Sequence, residues 1–546
     1  MALTKAHNRI ISGAPANVKD YGATGDGVTD DSSSILAAFN HVRTQGGGVV
    51  EFPNTNNEQY LISYGFRVPS NCVINLNGCT IKATTTFAQG TIPTNGVSGF
   101  FVLNEQTAPL AADTGNITIN GDGATLDGRR DEQTGTIGGY SLIKMETTDS
   151  PVEADYLRLK NIVVRDLTLE RSGYDGLYIA GAKNVVIQNV DVKYALRIGI
   201  VVIAGEDISF ENCEANYTVG DNSNLPADMQ GPGNSGEGYW NEPNDSWQTL
   251  NNISYSNCRA SYNFQAGWKI YNAGADTEMK ITLNDCYSSY AGWDDTVPGL
   301  IAGAVDPLYQ IQLSSIGTKE ALIVMNNCVA DNCRGSGLGI HRGSGAGIHQ
   351  RIIVNNITVM NCCLNNSDSI NRAPIKIPLA TGTPLIHINN PVIIAPTANT
   401  LGYGIAINTP TNIRLVNPVY IGTFTNKAVI SNGDNGSNGY ILIDLDGQVC
   451  KTFVNFDATG TIRDDFNVNS ITDLGVGYYQ LDFDNAMPDV NYVINALAST
   501  PQSDRVRAVS VRSDRWLTTY FRMYVEDVST GAYVDSDNVA LSVFRN

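Results

Sequence analysis

The chain has 546 residues, and its 35 Lys plus Arg against 54 Asp plus Glu leave a net charge of −19. That excess repels nucleic acid and anionic membrane, so neither is expected as a partner. Charged residues make up only 16% while glycine alone supplies 53 positions, a composition suited to tight turns and stacked polar side chains and not to solvated helical bundles.

The chain holds no run of about 18 apolar residues, so no membrane-spanning helix is expected. Its opening, MALTKAHNRIIS, lacks the apolar stretch of a secretory leader. Ten cysteines without a CxxC pair, and only five histidines, point to no disulfide framework, no metal and no cofactor.

In chain order, the first element is a short helix. Asp30 or Asp31 can cap it, Ile35, Ala38, Phe39 and Val42 fall at helical spacing, and Gly46-Gly47-Gly48 ends it. A repeat follows. NIVVRDL begins at Asn161, NVVIQNV at Asn184 and DISFENC at Asp207, each 23 residues after the last. The phrase returns as NISYSNC from Asn252, KITLNDC from Lys280, LIVMNNC from Leu322 and NITVMNC from Asn356. Its penultimate residue is Asp166, Asn189, Asn212, Asn257, Asp285, Asn327 and Asn361 in turn, and the longer intervals mark insertions. Alternating apolar and polar residues at such a period predict strands stacked in parallel, coil upon coil, with the repeated Asn bonding along the stack. Cys213, Cys258, Cys286, Cys328 and Cys362 then form a column of small buried thiols. From about residue 463 the period disappears, and alternating strands such as YYQLDF and RVRAVSVR predict a separate β-sandwich. The expected organisation is therefore all-β: an N-terminal segment 1–16, a right-handed parallel β-helix over 17–462 with the short helix as its lid, and a sandwich over 463–546.

Register ranks the surface residues. Gly176, Gly199, Gly267 and Gly337 each lie nine residues after the phrase, and Gly238 takes that role in an inserted coil. Residues two and four after the glycine point outward. One outward column then contains Tyr178, Val201, Trp240, Lys269 and Asp294, and the next contains Ala180, Ile203, Glu242, Tyr271 and His341. By the same parity Trp268 and Trp293 turn inward, to stack with Tyr239, and leave Trp240 and Trp247 as outer aromatic platforms.

The run NVKDYGATGDGVTDDSSSILAAFNHVRTQGGGVVEFP resembles the opening of the pectate-lyase-like superfamily of right-handed parallel β-helices, and GYWNEPNDSWQTLNNISYSNC resembles that family's Gly-Ile-Asp-Ile-Glu-Pro-Asn stretch. The start before the helix and the ending DNVALSVFRN resemble a bacteriophage tailspike. The resemblance implies a homotrimeric virion protein joined to a phage tail or baseplate through its N-terminus. Such a protein binds, and usually cleaves, a bacterial surface polysaccharide at the cell surface.

Glycoside hydrolysis needs two carboxyls, about 5–5.5 Å apart for retention and about 6.5–9.5 Å for inversion. Glu242 matches the family's Glu-Pro-Asn position and projects outward; Trp240 stands where the family has an Asp. The partner carboxylate must come from elsewhere. Asp175 and Glu237 each precede an aligned glycine two coils apart, about 9.6 Å; Asp294 is another option, and a carboxylate of a neighbouring subunit a third. Trp240, Trp247, Lys269, Tyr271, Tyr178 and His341 are the candidate sugar contacts. Two alternatives remain open: β-elimination on a uronate-containing capsule, and a non-catalytic receptor-binding adhesin.

Overall fold

A computed structural model describes residues 13–545 apart from 88–98, 104–113, 135–138, 147–156, 220–235, 272–276, 292, 295–298, 301–306, 314–318, 343–349, 364–372, 379–384, 397–400, 408–412, 431–440, 444–448, 488–489, 491, 500–506 and 529. The chain divides into two compact units, Met1–Arg414 with Val419–Ile441, and Leu415–Pro418 with Leu442–Asn546.

In the first unit the chain coils as a parallel β-helix. Tyr178 pairs with Val201, Val186 with Ser209 and Asp191 with Glu214, each an offset of 23 residues. Single left-handed residues make the corners of a coil, at φ 56° for Asn184, 51° for Asn189 and 55° for Tyr194. A side chain in that region crowds its own carbonyl, and Asn and Asp tolerate it best, which is why they recur at this spacing. Corner side chains also bond along the stack: the Asn189 amide donates to Asp166 at 2.7 Å, and that of Asn212 to Asn189 at 3.2 Å. At the third corner, tyrosines replace amides. Tyr194, Tyr217, Tyr262 and Tyr290 stack face to face at 5.2, 5.0 and 4.5 Å between ring centres.

The expected column holds from Asp166 to Asn327 but slips in the next coil. The Asn327 carboxamide oxygen accepts from Asn356 at 3.0 Å, so Asn356, not Asn361, continues that corner. Asn361 belongs to the third corner, below Asn332, and Cys362 lies beside Cys333; the rung after Cys328 is taken by buried Ile357. The cause is local. Two corners of each coil are five residues apart, as at Asn184 and Asn189, so one phrase of strand, Asn and small residue fits either.

Side chains between the corners fill the lumen. Ile187, Phe210, Tyr255, Leu283, Met325 and Val354 are all buried, each worth roughly 1.5–3 kcal/mol against exposure. The Trp268 ring stacks between Tyr239 at 4.5 Å and Tyr309 at 5.2 Å, as its parity requires. The backbone of Trp293 pairs with Leu300 in an antiparallel ribbon outside the parallel sheet, and the inward turn expected of its side chain falls outside the described residues.

The helix Ser32–Thr44 buries Ile35, Ala38, Phe39 and Val42. Asp31 is its N-cap residue, yet its carboxylate binds the amides of Thr24 and Gly25, at 2.7 and 3.1 Å. Asp30 instead accepts from the Ser32 amide at 3.0 Å. Among the described residues no helix is long and apolar enough to cross a membrane.

The second unit has two four-stranded antiparallel sheets. One is ordered Ile462–Phe466, Val449–Phe456, Asn538–Arg545, Tyr492–Ser499; the other is Val468–Gly475, Tyr478–Phe483, Tyr520–Asp527, Arg507–Trp516. Between them pack Phe456, Tyr479, Leu481, Phe521, Met523 and Val543. Its first strand starts at Val449, upstream of the boundary expected at 463, because Val449–Phe456 pairs with the last strand of the chain.

The corner geometry predicts an order of stability. Asn189→Ala must keep a left-handed backbone and loses the ladder bond, for a cost of about 1–3 kcal/mol; Asn189→Gly, losing the bond alone, should cost about 1 kcal/mol. Thermal unfolding of the three chains measures it, and equal loss in both variants would refute the corner account.

Candidate functional site

The outward column of the first strand of each coil can be followed rung by rung: Lys144, Tyr178, Val201, Trp240, Lys269, Gln310, Gly339, Lys376. Asp294 is therefore not the rung after Lys269. It pairs with Gly299 in the antiparallel ribbon, and the chain rejoins the face at Tyr309–Leu313, where Gln310 takes the place. In the second column Gln312 stands between Tyr271 and His341. Leu308 and Pro374 occupy the glycine position in their coils, judged by their bonds to Gly337 and its neighbours. Elsewhere glycine is required: a Cβ on Gly199 would sit 2.7 Å from the Gly238 carbonyl oxygen.

Apolar packing fixes the centre of this face. Ala180, Ile198, Val201 and Ile203 form a buried cluster outside the lumen, with Tyr178 and Trp240 against it. The Lys269 ammonium lies 4.0 Å from the centre of the Trp240 ring, a cation–π contact that covers one face of the indole. The Trp240 Nε1–H is buried and has no hydrogen-bond partner among the described residues.

The carboxylates separate into two kinds. Asp175 is fully buried and holds Arg197 through two bonds, 2.7 and 2.5 Å, while the guanidinium stacks 3.9 Å from the Tyr174 ring centre. Glu237 is equally buried, accepts from Lys269 Nζ at 2.9 Å and from the Gly236 amide at 2.9 Å. Both are committed to ion pairs and neither offers a free carboxylate to solvent, so the pairing of Asp175 with Glu237 expected from their spacing is not assembled as an acid–base couple. Lys144 is likewise paired with Glu146, 2.6 Å.

Glu242 differs. It is half-buried just beyond Tyr239–Asn241, its amide donating to Val202 O at 3.1 Å. Among the described residues its carboxyl has no ion pair or hydrogen bond. Burial raises its pKa above the ordinary carboxyl value, and Glu237 adds to this, against the opposing pull of Lys269 and Arg197. A carboxyl whose pKa is raised by burial at a partly open surface is disposed to act as a proton donor.

The remaining candidates surround this centre in various states. Tyr178 is partly buried, with Lys144 Nζ 5.4 Å from its ring centre, and burial pushes its phenol up. Tyr271 and Trp247 are partly buried, Trp247 on the turn in which Gln248 N donates to Asp245 O at 3.1 Å. The His341 imidazole is pushed down to about 4 by burial and then by Lys376, so it is neutral near neutral pH. Among the described residues no three His, Cys, Asp or Glu side chains converge as metal ligands would. Sequence reading missed Arg197, Gln310, Gln312 and Lys376. Arg197 could have been found two residues before Gly199, but Gln310 and Lys376 follow coils without the marker glycine.

Residues 16–222 match the family model described as Rhamnogalacturonase A/epimerase, pectate lyase-like. Mannuronan C5-epimerase AlgE4 of Azotobacter vinelandii is 26% identical over 196 residues, which are 33% of this chain and 34% of that protein. AlgE5 of the same organism is 30% identical over 160 residues, 28% of this chain and 14% of that protein. The chain thus spans about a third or less of these curated relatives. Among solved structures, the AlgE4 A-module has a TM-score of 0.51 at 16% identity, covering 78% of this chain and 99% of the module. A mutant tailspike protein of E. coli bacteriophage HK620, in complex with a pentasaccharide, has a TM-score of 0.49 at 11% identity, covering 97% and 94%. The resemblance read from GATGDGVTDD and GGGVVEFP is borne out within residues 16–222, and the fold is a parallel β-helix.

Proposed function

We propose that this chain is a phage tailspike depolymerase that binds and endo-cleaves a bacterial surface polysaccharide, with Glu242 as general acid. The observation that carries the reading is the half-buried Glu242 carboxyl, free of any ion pair among the described residues on a face where Asp175, Glu237 and Glu146 are each matched to a cation. The Glu242 proton passes to the glycosidic oxygen, the bond from that oxygen to the anomeric carbon breaks, and water adds to the carbon. The water's proton goes to a second carboxylate, supplied in this reading by a neighbouring chain of a homotrimer. Neutralised cations around Trp240 suit a neutral stretch of sugar at the cleavage point. Attachment to the phage tail belongs to the N-terminal segment, of which residues 1–12 lie outside the described residues.

A second reading is β-elimination on a uronate. It is favoured by the matched family description and by curated relatives named for C5-epimerisation of mannuronan. Products of elimination carry an unsaturated uronate with new ultraviolet absorbance, whereas hydrolysis yields saturated reducing ends. Binding without any product would leave the adhesin.

Glu242→Gln should lower release of reducing ends from host polysaccharide by about 10²–10⁴-fold with binding retained; unchanged release would remove Glu242 from the chemistry. Because its pKa is raised, the acid form persists above the ordinary carboxyl value near 4.3. Activity should therefore fall on an alkaline limb lying above that value, and the limb should be absent from the residual rate of Glu242→Gln. The same shift has a sign for stability: the contribution of protonated Glu242 is fully present at acidic pH and is lost as pH rises through the raised pKa. Glu242→Gln should accordingly raise Tm at pH 7 and leave it unchanged at acidic pH. Asp175→Asn, in contrast, strands Arg197 without its counter-charge, and should cost about 3–5 kcal/mol in unfolding measurements.

A further inference from the structure

One cation on this face breaks the pattern of neutralisation. Lys376, on Ile375–Ile377, is the rung after Gly339, and its other neighbour is Ala406. It is three rungs beyond Lys269, hence about 14 Å along the face. Lys144, Arg197 and Lys269 each hold a carboxylate; among the described residues Lys376 has no ion pair or hydrogen bond. The small residues on both sides leave its ammonium without a flanking side chain in its own column. Pro307 packs over Gly339 and His341 Nε2 lies beside it, 2.9 Å from where a Cβ on Gly339 would be; that nitrogen is buried without a partner among the described residues. Burial draws the Lys376 amine below its ordinary pKa, the mark of a charge with too little compensation. A partly desolvated ammonium beside an unsatisfied imidazole nitrogen is costly until an acceptor with negative charge arrives.

We propose that Lys376 and His341 form an anion subsite that receives the carboxylate of an acidic sugar, about three coils from the Lys269 rung. The proposal rests on the reading that this face binds a glycan, and it names the glycan's class: a chain neutral at the cleavage point and acidic at a distal unit. The ammonium supplies the charge and the neutral imidazole donates a hydrogen bond to the same carboxylate.

Amine acetylation of the full chain, followed residue by residue with peptide mass spectrometry, tests it. Sodium glucuronate, glucose and sodium chloride are compared at matched ionic strength, in the native chain and in Glu242→Gln. We expect glucuronate to slow acetylation of Lys376 by about threefold or more relative to chloride, as a site mostly filled requires, with glucose giving no protection and ion-paired Lys280 unaffected. Protection should survive in Glu242→Gln, which separates the subsite from the hydrolysis reading. Equal labelling of Lys376 in glucuronate and chloride, or equal protection by glucose, overturns the proposal. Protection at Lys376 in a chain that cleaves no polysaccharide would leave the subsite standing and remove the depolymerase.

Discussion

Successive coils stay in register because each corner residue is held in a left-handed conformation that few side chains accept, and bonds to its counterpart one coil away. The Asn and Asp at these corners do two jobs with one group: they relieve the backbone and tie neighbouring coils. Every rung of the outer face inherits its height from this stacking. Trp240 meets Lys269, and Tyr178 meets Val201, only because Asn189, Asn212 and Asn257 hold consecutive coils at a common phase. Where tyrosines replace the amides, ring stacking carries the same duty with dispersion in place of hydrogen bonds. Their faces are spent on one another, so this ladder presents edges outward and is a structural spine.

The same stacking controls the charges of the candidate site. A turn precedes each marker glycine, and the turn buries whatever residue stands there. Asp175 and Glu237 occupy that place, and burying a bare carboxylate is far too costly, so each is accompanied by a cation drawn from the next coil. Glu242 lies past the glycine, on the outward strand end, where partial solvent contact spares it a counter-ion and burial still shifts it toward protonation. Acids of one residue type thus receive opposite roles from a difference of a few residues in register. Lys376 is the mirror case, a cation without an acid among the described residues.

Much of this was legible in the residues. Alternation gave the inward set of Phe210, Tyr255 and Trp268 and the outward set of Tyr178, Trp240 and Lys269, because a strand has only two faces. The 23-residue period gave parallel stacking, the loss of that period marked a second unit, and Ile35, Ala38, Phe39 and Val42 gave the lid helix. Glu242 could be placed outward beside Trp240 on parity and family resemblance together.

Other features were decided only in three dimensions. Asp294 was assigned to the rung that belongs to Gln310, since a chain excursion costs little more when longer and leaves no mark of where it rejoins the stack. Asn361 was matched to the wrong corner because two corners share one local signature, and only the bond from Asn356 to Asn327 distinguishes them. The ion pairs of Asp175 with Arg197 and Glu237 with Lys269, 22 and 32 residues apart, depend on side-chain reach between coils. Sequence by itself determined which residues face outward, since parity is a local property of the backbone. Which of them stand next to each other, and which acids remain unpaired, was decided by the heights at which the coils came to rest.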